Sequence, residues 1–174
     1  VMVRLLLAIC FLPCAVMATP SMHTLLINGD FLKPIVVMKQ LEQQDKGTIC
    51  DFDVEVEEGL LVYKISMVDV ETRKMSKYQY RALDGVLLNE KTSVYSSDDI
   101  GPVNAAKMLQ AKQMTFSALV ALAIEDQQGY LTQAELDHDL SISYLELKLL
   151  NQDSKNTIAF DIETLRPLPL LKWD

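Results

Sequence analysis

Histidine and cysteine are scarce in this 174-residue chain, which has two histidines, His23 and His138, and three cysteines, Cys10, Cys14 and Cys50. Catalysis at neutral pH usually draws on a histidine, an activated cysteine, a metal cage or paired carboxylates in a cleft. His23 stands near the start, in a terminus expected to be mobile, and His138 falls in an alternating, strand-like run that marks it as a half-buried structural residue. No pair of histidines at helical spacing and no cysteine pair suggests zinc. Glycine-rich phosphate loops are missing too, since INGD and LDGV are single turns. Basic residues are in the minority, 16 against 24 acidic for a net charge of −8. Such a surface repels phosphate backbones, which removes nucleic acid as a partner. The chain is therefore expected to be a non-enzyme with no catalytic, cofactor-binding or metal residues and no cofactor.

Long hydrophobic runs are also few. The one present, Leu5 to Val16, follows Arg4 and ends at Ala18, which is the basic, apolar and small-residue order of a secretory signal peptide. A membrane span would need about 20 apolar residues, and Pro13 and Pro20 interrupt this one. Residues 1–18 are expected to be removed by a cut between Ala18 and Thr19. Neither Cys10, after Leu7, Ala8 and Ile9, nor Cys14, after Phe11, Leu12 and Pro13, has the small-residue context of a lipid-modified cysteine. A soluble periplasmic or secreted protein without a transmembrane anchor is the expectation. Cys50 then has no intramolecular partner and reads as a small buried strand residue, and Asp51 and Asp53 beside it would raise a thiol pKa.

The remaining chain shows two similar stretches. Phe31 to Gly47 reads as an amphipathic helix with Pro34 in its first turn, Val37, Met38 and Leu41 on its apolar face, and Gly47 as its stop. Met114 to Gly129 reads the same way, with Thr115 as N-cap and Phe116, Leu119, Leu122 and Ala123 as its face. Met108 and Met114 belong to helix faces. Strict alternation then marks Cys50 to Glu57 as a strand, with Leu60 to Val68 and Lys77 to Leu83 following. In the second stretch the counterparts are the alternating run Leu136 to Ser143, then Tyr144 to Leu150 and Thr157 to Leu165. Gly47 and Gly129, Tyr63 and Tyr144, and Tyr80 and Phe160 recur at nearly constant separation. Ser96 to Pro102 reads as a linker, and Asn104 to Lys112 as a short added helix. The expected fold class is α+β, built as two tandem repeats, each a helix packed on a three-stranded antiparallel sheet. The expected division is a signal peptide at 1–18, a first repeat at 19–97 and a second at 98–174.

On these residues the pattern resembles the PepSY domain family. The threonine-led, alanine-rich helix MTFSALVALAIEDQQG, the tyrosine-containing strands LVYKISMV and YLELKLL, and the closing strand KYQYRALDGVLL with Asp84 and Gly85 in its turn carry the likeness. The second copy keeps Asp161 and Thr164 but lacks the turn glycine. The resemblance implies a non-enzymatic role in which the protein binds, and restrains or modulates, a secreted or envelope peptidase or another envelope protein.

Asp51, Asp53, Glu55 and Glu57 are the one unusual charge feature. Two apart on a strand, they share a face at about 7 Å spacing. A solvated face balanced by Lys64, Lys77 or Arg81 on adjacent strands is the ordinary reading, and an acidic strip for a basic partner is the other. A straight row lacks the converging oxygens that calcium needs. Two functions remain. One is a binding module whose sheet edge takes a partner's extended segment. The other is a small apolar-ligand carrier with a pocket between helix and sheet and Tyr63, Tyr78 or Tyr80 as polar handles. A filled core with an open edge favours the first, and a pocket of a few hundred cubic ångströms the second.

Overall fold

The computed structural model describes residues 20–152 and 154–169, so the signal peptide assigned to 1–18 lies outside the described residues. Helix α1 (Met22–Asn28) is capped by the Ser21 side chain, which accepts from the Thr24 amide, so His23 sits on a helix and not in a loose terminus. Helix α2 (Pro34–Glu42) starts with its proline in the first turn and buries Val37, Met38 and Leu41. Four strands follow, β1 (Thr48–Glu57), β2 (Leu60–Asp69), β3 (Lys74–Arg81) and β4 (Leu87–Val94). A single 3-10 turn at Ser97–Asp99 leads into α3 (Ile100–Ala111), and α4 (Phe116–Ala123) comes next. Strands β5 (Tyr130–Asp139), β6 (Ile142–Leu150), β7 (Lys155–Asp161) and β8 (Arg166–Leu168) complete the described chain.

The expectation of two repeats, each a helix packed on its own three-stranded sheet, is overturned. All eight strands form one antiparallel sheet in the order β4-β3-β2-β1-β5-β6-β7-β8. The join lies between β1 and β5, where Asp51, Phe52 and Asp53 pair with Glu135, Ala134 and Gln133. The physical reason is main-chain satisfaction: as members of separate sheets, β1 and β5 would each leave unpaired amides and carbonyls beside a buried core. Phe52 and Ala134, paired across the join, are both fully buried. One core cluster holds the buried residues of α2, α3, α4 and both groups of strands.

Each helix is placed by a short list of buried residues. Thr115 caps α4 by accepting from the Ala118 amide, and α4 buries Phe116, Leu119, Val120 and Ala123, with Leu122 turned outward against expectation. Helix α3 begins inside the segment read as a linker, because Gly101 and Pro102 occupy its first turn, where a missing amide costs nothing. It packs against β5, β1 and β6. The approach is close, since a Cβ on Gly101 would collide with Oδ1 of Asp137.

The alternating run Leu136 to Ser143 is not one strand. It crosses the β5–β6 hairpin, whose two-residue turn places Leu140 at φ 48° and Ser141 at φ 66°. Such a turn favours Asn-Gly because both residues lie in the left-handed region. Leu140 is also 80% exposed. Replacing Leu140 and Ser141 with Asn and Gly is expected to raise unfolding stability by about 1–2 kcal/mol, readable as a higher urea midpoint.

Candidate functional site

Strand alternation divides the sheet into two unlike faces. One carries Phe52, Tyr63, Ile65, Tyr78, Leu136 and Leu147, all buried in the core shared with the helices. The other carries Asp51, Asp53, Glu55, Lys64, Ser66, Lys77 and Gln79, half-buried or exposed. The register aligns these polar residues in rows across the strands. One row runs Lys91, Lys77, Ser66, Asp51, Glu135, Glu146 from β4 to β6, basic at one side and acidic at the other. An open hollow of about 350 Å³ lies over β1 to β4, lined by Asp51, Asp53, Lys64, Lys77 and Lys91 among others.

The acidic row is therefore wider than the sequence alone suggests. Asp51 stands opposite Glu135 across the β1–β5 join, and Glu135 stands opposite Glu146 on β6. Like charges directly opposite repel. Burial first, then Glu135 and Asp53, push the Asp51 carboxyl up to about 7, against the pull of Lys77 and a hydrogen bond with Ser66. Burial, then Asp137 and Glu146, raise Glu135 as well. Burial, then Glu55, raise Asp53. Of the three cations expected to balance the row, Lys64 binds Glu55 and, at 2.8 Å, Glu57. Lys77 acts on Asp51 from β3. Arg81 turns away and holds Asp84 in the β3–β4 turn at 2.6 Å. Sequence reasoning missed Glu135, Asp137 and Glu146 as neighbours of this row, because only the β1–β5 pairing brings them there. Among the described residues, no group of three or more His, Cys, Asp or Glu is placed to hold a metal ion.

The singled-out residues fall elsewhere. Cys50 is the extra residue of a bulge in β1, where its thiol reaches the Ser66 carbonyl at 3.6 Å and the Met75 sulfur at 3.9 Å. Burial pushes its thiol pKa well up. Thr132 fills the matching bulge in β5, its hydroxyl donating to the Lys148 carbonyl. A small donor at each bulge thus satisfies the carbonyl across from it, and Cys50 is structural. His138 is half-buried, its Nδ1 2.7 Å from the Ser143 hydroxyl.

The three tyrosines considered as ligand handles are core residues. Tyr63 is fully buried and donates to the Leu32 carbonyl at 2.6 Å, and Tyr78 stacks with Tyr80 at 6.2 Å between ring centroids. Tyr144 faces the opposite side of the sheet from Tyr63, its hydroxyl donating to Asp137. A groove of about 490 Å³, lined by Leu26, Phe31, Pro34, Ile35, Ile124 and Tyr130 among others, opens between α1, the start of α2 and the start of β5. None of Tyr63, Tyr78 and Tyr80 lines it.

The two sheet edges differ. Strand β8 offers Arg166–Leu168, with Pro167 lacking an amide proton. Strand β4 offers eight residues, every one exposed. No helix of the described residues is long and apolar enough to cross a membrane. No protein-family model matches the chain, and no curated protein does. Among solved structures, the chain is similar to a presumed lipoprotein from Clostridium difficile at 21% identity, over 82% of this chain and 95% of that one, with a TM-score of 0.46.

Proposed function

We propose that this is an exported, non-enzymatic binding protein that engages a protein partner through its sheet. One observation carries the reading: Phe52, Tyr63 and Tyr78 fill the core beneath the sheet, each at 2% exposure or less, while among the described residues the eight of β4 leave a main-chain edge open. Such an edge can take a partner's extended segment through main-chain hydrogen bonds. The PepSY-like features of the sequence make a secreted or envelope peptidase the first partner to try, and the apolar run before Thr19 supports a periplasmic or secreted location.

A second reading, a carrier for a small apolar ligand, draws on the groove beside Phe31 and Tyr130. Its size lies within the usual range for ligand sites, but it is open where such sites are concave and enclosing. Affinity capture from an envelope extract, followed by binding measurements with the purified protein recovered, tests the first reading. Saturable binding to a protein is expected. Recovery of no protein partner under several conditions, together with a lipid or other apolar molecule co-purifying, would favour the carrier.

A further inference from the structure

The binding reading leaves open which surface binds and what it binds, and β4 answers both. Among the described residues, β4 has β3 as its one strand neighbour, so its other side presents free amides and carbonyls along Leu87–Val94. Lys91 stands directly opposite Lys77 of β3, a like-charge pair on the polar face. Neither lysine takes part in an ion pair among the described residues. At one end of the strand, Leu88 joins Leu60 and Val62 in lining an open hollow of about 300 Å³ whose rim also carries Glu57, Glu58 and Arg81, and Leu87 and Leu60 are 45% and 57% exposed. Edge strands are normally blunted, by shortness, proline or charge, because an open edge templates further pairing. Here Glu90 and Lys91 sit mid-strand, on opposite faces, and Leu87 and Leu88 at the strand's start carry no charge.

We propose that β4 is the docking edge for an extended, acidic segment of the partner, which adds as a ninth strand, sets a carboxylate beside Lys91 and Lys77, and seats an apolar residue in the hollow at Leu88. This rests on the binding-protein reading and specifies its surface and ligand chemistry. The charges also say which occupant does not fit. A second copy pairing antiparallel through the middle of β4 about a two-fold axis would oppose Lys91 to Lys91 or Glu90 to Glu90, which is repulsive in either register. A carboxylate on the incoming strand relieves the Lys77–Lys91 repulsion instead. At the far edge, β8 has three residues and a proline and offers no comparable ladder.

The experiment uses the full chain and an alternating valine–glutamate peptide matched in length to β4, with a valine–lysine peptide and a valine–glutamine peptide beside it. Amide exchange is followed residue by residue. The acidic peptide is expected to protect amides of Leu87–Val94 and to bind about fivefold more tightly than the neutral one, with the lysine peptide weakest. Lys91→Glu, a change at an exposed side chain, is expected to reverse that order while leaving the circular dichroism spectrum unchanged. Equal protection by acidic and basic peptides, or none at β4, would overturn the assignment. A partner protein that binds saturably yet leaves β4 exchanging as in the free chain would overturn the edge assignment alone, with the binding-protein reading left standing.

Discussion

Truncating Phe52 to alanine is expected to lower the unfolding free energy by about 3–5 kcal/mol, the range for removing a buried aromatic ring, as read from urea denaturation. Phe52 is fully buried, packs its ring 5.3 Å from that of Tyr63, and lies between Ile65 of β2 and Ala134 of β5. The loss therefore includes the aromatic pair as well as buried area. Its position gives the substitution a second signature. The β1–β5 join rests on three residue pairs, against nine pairs for β1 with β2. Loosening at Phe52 should speed amide exchange in β5 as well as in β1, because the small Ala134 opposite cannot fill the space. A loss under 1 kcal/mol, or faster exchange confined to β1, would argue against the join.

The second large effect is a pH dependence with an unusual sign. The folded protein holds a proton on Asp51 up to about pH 7, whereas an ordinary aspartate releases it near 3.8. Between those values the native state binds more protons than the unfolded chain. Stability is therefore highest toward the lower end of that window, falls as pH rises across it toward 7, and levels off above 7. Glu135 and Asp53 shift in the same direction and add to the slope. Three pKa units correspond to about 4 kcal/mol, and partial exposure reduces this to about 2–3 kcal/mol. Asp51→Asn removes the charge facing Glu135. At pH 8 the variant is expected to be more stable than the parent by about 2 kcal/mol, and at about pH 3.5, below the ordinary aspartate value, nearly equal to it. Urea midpoints at the two pH values decide the matter. A variant less stable at pH 8 would mean that Asp51 is stabilised in its charged form.

Legibility in the sequence followed burial on one face and failed elsewhere. Helices α2 and α4 were readable because Pro34 and Thr115 mark their starts and their apolar residues recur at helical spacing. The β1–β2 hairpin was readable because Asp51 to Glu57 alternates strictly and Glu58-Gly59 turns the chain. Strand β4 gave no signal, since neither face of Leu87–Val94 is buried and nothing forces alternation. The start of β5 was hidden by its bulge between Leu131 and Gln133 and by Ala134, too small to read as a core residue. The β5–β6 turn was hidden because Leu140 and Ser141 stand where Asn-Gly would announce it. Tyr144, which recurs at the spacing of Tyr63, faces the other side of the sheet, and Leu145 is the residue that faces the core.

Of the candidate site, the row Asp51 to Glu57 was visible as local alternation and so was its partner Lys64. Its extension through Glu135 and Glu146 was not, because a pairing between strands some 80 residues apart leaves no periodic trace in either. Arg81 was placed with the row by its position on the strand, yet the nearer Asp84 captures it through two hydrogen bonds. The open edge was invisible for the same reason that β4 was.

The sheet's continuity across β1 and β5 is tested most directly by nuclear Overhauser contacts between main-chain protons of Asp51–Asp53 and Gln133–Glu135. Cross-strand contacts in the register Asp51 with Glu135, Phe52 with Ala134 and Asp53 with Gln133 are the expected result. Their absence, with the amides of Gln133 and Glu135 exchanging as fast as those of an open edge, would show two sheets in place of one.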